Sequence, residues 1–233
     1  KQCSCEKCNA FDPALNSPDR YFRLLNQIAG IPTDGEKVVF AYLNYQNPPE
    51  KIRPAKGLTI KLTMHYRCYV HSIDDRTCKY NERSRKLIGG WKKLGVPLTF
   101  YEADFVLPGG SLFYLPMEEA MAEDLKFYHR TGAEGIMAEH VPFDGVFVKQ
   151  YDTRAIRERW RINFMTPYVQ AALLWDVNRD FADLEEEAGH FYYGVTWPKM
   201  REYRHSLQKT WKESGAHFYY GAVSASVSRL LDV

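Results

Sequence analysis

Glu102 ends the stretch LTFYE and Glu139 ends GIMAE, and both stretches read as short strands. Two carboxylates at the ends of neighbouring strands are the minimum equipment for glycoside hydrolysis. One, protonated, gives its proton to the leaving oxygen; the other, ionised, attacks the sugar or activates water. Their separation sets the stereochemical outcome, roughly 5 to 5.5 Å for retention and roughly 6.5 to 9.5 Å for inversion. Asp104 shares strand parity with Glu102 and competes for the same role. Taken singly, a strand-end acid serves as readily to cap a helix or pair with an arginine.

The other strand ends are polar or aromatic as well. Tyr42 and Tyr45 close KVVFAYLNY, His65 and Arg67 close LTIKLTMHYRC, Tyr101 precedes Glu102, and His140 follows Glu139. These six are the candidate substrate-binding residues. Tyrosine rings stack on the apolar face of a pyranose, and Arg67 suits a uronate or another acid. Lys61 lies in the middle of its strand, where burial requires a carboxylate partner, with Glu102 and Glu139 in view.

The five cysteines fall in two groups, Cys3, Cys5 and Cys8 in CSCEKC, and Cys68 and Cys78 flanking YVHSIDDRT. Cys5 and Cys8 have a C-x2-C spacing that grips zinc. The second C-x2-C of a ribbon is absent, so a full set would draw on Cys3, His65, His71 or a thiol of the second group. Disulfides are the competing reading in an oxidising compartment. No metal is assigned; Cys3, Cys5 and Cys8 stand as candidates. No organic cofactor is expected, since LPGGS lacks the lysine and helix context of a phosphate loop.

These residues need a scaffold. Ser17-Pro18 starts a helix that Gly30 or Pro32 ends, and strand patterns follow at 37–45, 58–68, 96–105 and 133–141. Helices are expected over about Asn81–Leu94 and from Pro116, and from about Thr153 the pattern is almost wholly helical. Alternating strand and helix argues for parallel strands with right-handed crossovers. LTIKLTMHYRC puts Leu58, Ile60, Leu62 and Met64 on one face and Thr59, Lys61, Thr63, His65 and Arg67 on the other. An inner strand of an open parallel sheet would be apolar on both faces, whereas a barrel strand turns its second face to the lumen. A solvated edge strand is the alternative. The expected class is α/β: the C-terminal half of a (β/α)8 TIM-type barrel, about four parallel strands over 1–150, followed by an α-helical extension over 151–233. In that extension Ile156, Trp160 and Phe164 recur by four as a packing stripe, and Arg157 or Arg161 is offered to an anionic sugar.

A chain of 233 residues, 45% hydrophobic, supports one large core or two small ones. Its 31 basic and 29 acidic residues intermingle to a net +2, which gives no nucleic-acid footprint. No stretch approaches the roughly 20 apolar residues of a membrane span, so no membrane partner is expected. The opening KQCSCEKCNAFDP lies inside a cysteine cluster without an initiating methionine and reads as part of a longer or processed chain.

Several stretches taken together carry a resemblance. CSCEKC, YFRLLNQIA, AYLNYQNPP, RCYVHSIDDRTCKYN, GGWKKLG, FYEADF, GIMAEH, AALLWDVNRDF and FYYG resemble, in that order, the family called domain of unknown function 4838, from the first residue to about Gly194. Its members are bacterial, mostly exported, with a glycoside-hydrolase-like barrel distantly similar to family 67 α-glucuronidases and family 20 hexosaminidases. LLWD with its acidic helix is similar to the helical region after the glucuronidase barrel. The resemblance implies that this chain holds the second half of the barrel, and that the first strands, including the one bearing the general acid, precede Lys1. The missing N-terminal half is then a partner, the location is periplasmic or extracellular, and disulfides fit that setting.

The expected function is that of a carbohydrate-active protein, a glycoside hydrolase acting on a glycan through Glu102 and Glu139, with Asp104 in reserve. The alternatives are a non-catalytic carbohydrate-binding barrel, and a zinc-dependent enzyme built on the cysteine cluster with His65 or His71.

Overall fold

The computed structural model describes residues 3–12, 17–103, 114–138 and 161–218. In chain order the elements are α1 (Glu6–Phe11), α2 (Pro18–Ala29), β1 (Lys37–Ala41), β2 (Leu58–Thr63), α3 (Lys79–Leu94), β3 (Leu98–Glu102), α4 (Glu118–Arg130), β4 (Gly135–Ala138), α5 (Met165–Trp175), α6 (Phe181–Tyr193) and α7 (Trp197–Glu213). The four strands lie in chain order in one parallel sheet, with Lys37 opposite Leu58 and Ile60 opposite Leu98. The class is therefore α/β, consistent with half of a TIM-type barrel followed by a helical extension. Among the described residues no helix is long and apolar enough to cross a membrane.

All four strands are shorter than their sequence patterns, and in the first two the early end moves candidate residues. The first leaves the sheet after Ala41 and turns through a 3-10 segment, Leu43–Tyr45, so Tyr42 and Tyr45 follow the strand instead of lying in it. The second stops at Thr63, although the Met64 amide still donates to the Tyr101 carbonyl at 3.0 Å. His65 and Arg67 thus belong to the turn beyond β2. Asp104, Glu139 and His140, like Arg157, lie outside the described residues.

Packing divides the chain into two compact units. The first comprises Lys1–Met64, Arg85–Tyr101 and Thr131–Met137. Its α2 begins as the sequence requires: Ser17 Oγ accepts from the Arg20 amide, and Pro18 fills the first position, where no amide is needed. Asp19, buried in the first turn, accepts from the amides of Lys51 and Ile52 at 2.8 and 2.9 Å and so holds the proline-rich connection before β2. Trp91 of α3 packs its ring 5.3 Å from that of Phe22 and donates Nε1 to the Gln46 carbonyl. Gln46 in turn donates to the Thr63 carbonyl, so the turn after β1 is tied to the end of β2. One face of the sheet, with Leu58, Ile60, Leu62, Leu98 and Phe100, is sealed from solvent.

The second unit comprises His65–Ser84, Glu102–Arg130 and Ala138–Val233. Its helices are locked by a buried ion pair in which Arg204 Nη2 of α7 lies 2.8 Å from Glu118 Oε1 at the start of α4. Glu118 also accepts from Tyr114 and from Thr166 of α5, and its position at a helix N-terminus suits a carboxylate. Burial first, and then the neighbouring Glu118, push the Tyr114 hydroxyl well above its ordinary pKa, so it remains a donor.

Candidate functional site

The open face of the sheet lies in the first unit. Parallel register sets Val38 beside Thr59, Phe40 beside Lys61, and Lys61 beside Thr99. These residues share a face because partners in register point the same way. Thr59 and Thr63 are buried there, but Val38, Phe40 and Met137 are exposed. The Phe40 ring meets that of Tyr101 edge to face at 5.7 Å. Lys61 Nζ stands 5.5 Å from the Phe40 ring centroid and 3.6 Å from Met137 Sδ. Lys61 thus rests on a ring and a thioether, and the carboxylate contact expected with Glu102 is not made. Glu102 continues the parity of Leu98 and Phe100, the opposite face from Lys61.

Beside this face, in the turn after β1, Tyr42 is exposed and Tyr45 stacks on Tyr21 at 4.3 Å. Leu43 between them has φ 47°, a left-handed conformation uncommon for a leucine. Strained backbone of this kind gathers at functional sites.

A buried charged centre occupies the second unit. Arg67 is 1% exposed; its Nε lies 3.1 Å from both carboxylate oxygens of Glu102 and its Nη1 2.7 Å from Asp124 Oδ2. The guanidinium covers the Tyr69 ring at 4.0 Å, and Tyr128 donates a very short hydrogen bond to Glu102. Asp124 also accepts from the Ile73 amide at 2.5 Å, which anchors the loop after Arg67. Burial alone would lower the Arg67 pKa, but Glu102 and Asp124 more than reverse that and hold it well above its usual value. Burial, then Glu102, push the Tyr128 hydroxyl far up. Arg67 is therefore a permanent cation clamped by two carboxylates of its own chain, a geometry that leaves its charge no room for a sugar acid. Glu102 is held as an acceptor by Arg67 and Tyr128, which suits orienting a neighbour better than donating a proton. His65 is buried nearby in sequence, and desolvation, helped by the Arg83 charge, lowers its pKa to about 4, so the ring is neutral at physiological pH.

Two groups of thiols and imidazoles fit a metal. Cys3, Cys5 and Cys8, on and before α1, bring three sulfurs within 4.8 Å of one another at the surface. Cys68, His71, Cys78 and His217 do the same with two sulfurs and two ring nitrogens, the sulfurs buried. His217 is a member that the sequence reading missed. No spacing rule joins it to Cys78, 139 residues earlier. His65, offered as a completing ligand, belongs to neither group.

Of the sequence candidates, the structure joins Arg67 to Glu102 in one unit and gathers Tyr101 with Phe40 and Lys61 in the other. Asp104, Glu139 and His140 lie outside the described residues, so the carboxylate separation that would fix the mechanism does too.

These features define a parallel α/β protein of half-barrel type with an aromatic open sheet face and a helical extension. Residues 1–205 match the domain of unknown function DUF4838, and the chain belongs to that family. No curated protein and no solved structure matches it.

Proposed function

We propose that this is a carbohydrate-active protein of glycoside hydrolase type, which seats a glycan on the open face of its sheet. The observation that carries the reading is the platform of Phe40, Tyr101 and Lys61: an exposed Phe40 ring, edge to face with a partly buried Tyr101, beside the Lys61 ammonium. Sugar C–H faces stack on such rings, and the ammonium meets hydroxyls or a uronate carboxylate. Exposed Tyr42 and the strained Leu43 at the end of β1 add support.

In this proposal Glu139 is one of the two acting carboxylates, with Asp104 in reserve for the other. Glu102 is assigned a positioning role through Arg67 and Tyr128. A second reading, a glycan-binding protein without hydrolysis, is favoured by that same commitment of Glu102 to Arg67.

The test is hydrolysis of a panel of aryl glycosides and uronate-bearing oligosaccharides by the protein and by its Glu139→Gln variant. Cleavage that falls about a hundredfold or more in the variant, the ordinary reach of acid/base catalysis, is the expected result. Binding without cleavage would establish the second reading, and neither binding nor cleavage would overturn both.

A further inference from the structure

We propose that Cys68, His71, Cys78 and His217 form a closed Cys2His2 site for a structural zinc ion, independent of the glycan reading. Cys68 Sγ lies 3.4 Å from His71 Nδ1 and 3.5 Å from His217 Nδ1, and Cys78 Sγ lies 3.8 Å from His217 Nδ1. A zinc ion with Zn–S of about 2.3 Å and Zn–N of about 2.0 to 2.1 Å, at tetrahedral angles, separates sulfur from nitrogen by about 3.6 Å. The three distances bracket that edge. All four donor atoms converge within 4.8 Å of one another, as the corners of one small polyhedron must.

The scaffold around the four residues is built to hold them. Asn81, fully buried in α3, accepts from the Cys68 amide at 2.8 Å and donates to the carbonyls of Cys68, His71 and Ser72 at 3.3, 3.0 and 3.0 Å. The Tyr69 amide donates to the Phe218 carbonyl at 2.8 Å, which brings the His217 segment against the loop. Asp75 accepts from the Thr77 amide and hydroxyl, and the Cys78 amide donates to the Asp75 carbonyl, closing the turn that presents Cys78. His217 stacks on Tyr80 with ring centroids 4.8 Å apart, which orients its Nδ1 edge. Cys68, Cys78 and Phe218 share a core cluster with Tyr69, Leu115 and Met117.

Charge favours the same occupant. Zn2+ bound by two thiolates and two neutral imidazoles has no net charge, so burial of the sulfurs carries little Born cost. Binding forms two Zn–S and two Zn–N bonds, and each thiol that arrives protonated releases its proton to solvent. Both rings ligate through Nδ1 and carry their proton on Nε2. Four protein ligands leave no open position, so the site fastens the 68–78 loop to the 217–218 segment and does not activate water. The exposed trio Cys3, Cys5 and Cys8 is a separate group and serves as the control.

The experiment is elemental zinc analysis of the protein purified under reducing conditions with zinc supplied, then dialysed against metal-free buffer. A Cys3→Ser/Cys5→Ser/Cys8→Ser variant is expected to keep about one zinc per chain, and adding His217→Ala to that background is expected to lose it. Should that second variant fail to fold, cobalt(II) titrated into the zinc-stripped triple variant replaces it. Tetrahedral d–d bands with a thiolate charge-transfer band, complete at about one equivalent, are then expected. A triple variant that holds no zinc and gives no thiolate–cobalt band would overturn the proposal. So would a Cys68–Cys78 disulfide in zinc-supplied protein isolated without reductant.

Discussion

Arg67 Nη1 lies 2.7 Å from Asp124 Oδ2, and each side chain is 1% exposed. Because Glu102 is on the other edge of the same guanidinium, one cation neutralises two carboxylates away from water. Such a centre sets geometry more than it adds stability, since desolvating three charges offsets most of their attraction. Removing the cation is another matter.

Arg67→Met should therefore destabilise the protein by about 3–5 kcal/mol, the cost of leaving buried carboxylates without their partner. Urea denaturation followed by circular dichroism reads this directly. Arg130→Ala, which removes the exposed pair with Asp74, is the comparison and should cost no more than about 1 kcal/mol. Equal effects would mean that the Arg67 centre is open to water.

Gly189 offers a test in which the sign is informative. Glycine to alanine inside a helix ordinarily stabilises by about 1 kcal/mol. At Gly189 in α6 the new methyl would stand 2.3 Å from ring atoms of Trp197, which is buried and held by its Nε1 bond to Glu186 at 2.9 Å. Gly189→Ala should instead lower stability by about 1–3 kcal/mol, as overpacking does. A thermal melt with an unchanged or raised midpoint would show that α6 and α7 can separate to make room.

Acid should weaken the fold partly through His65. Burial first, and Arg83 second, lower its folded pKa to about 4 from the ordinary 6.5. Between those values the unfolded chain binds the proton and the folded one does not. Stability from this group is therefore full above about pH 6.5 and is lost as pH falls towards 4, a change on the order of 1–3 kcal/mol. Urea midpoints from pH 7 to 4 should fall less steeply in His65→Gln than in the parent. Parallel slopes would place His65 in water.

The alternation of strand and helix was legible in the sequence, and so was each strand's position, because β-branched and aromatic runs stand between proline and glycine signals. Where β2 ends was not, since LTIKLTMHYRC alternates on past Thr63 and only the extent of β3 decides how far it can pair. The orientation of Glu102 could have been read: Leu98, Phe100 and Glu102 share a parity, and two buried apolar neighbours assign its face. Reading strand ends as a set hid that, because a polar residue at a strand terminus looks the same on either face. The Arg67 partners and the His217 contribution were out of reach, since Asp124 and His217 come from remote segments and no local period links them to the loop after β2.

Glycan recognition by the open sheet face is the claim on which the functional account stands, and calorimetric titration tests it most directly. A panel of neutral and uronate-bearing oligosaccharides would be titrated into the protein and into its Phe40→Ala and Lys61→Met variants. The exposed position of Phe40 and the partly buried one of Lys61, which holds no ion pair among the described residues, should leave the fold of both variants intact. The account predicts binding that Phe40→Ala weakens about tenfold, near 1.4 kcal/mol, with Lys61→Met acting most on uronate-bearing ligands. Saccharide binding indifferent to both substitutions, or no binding across the panel, would contradict it.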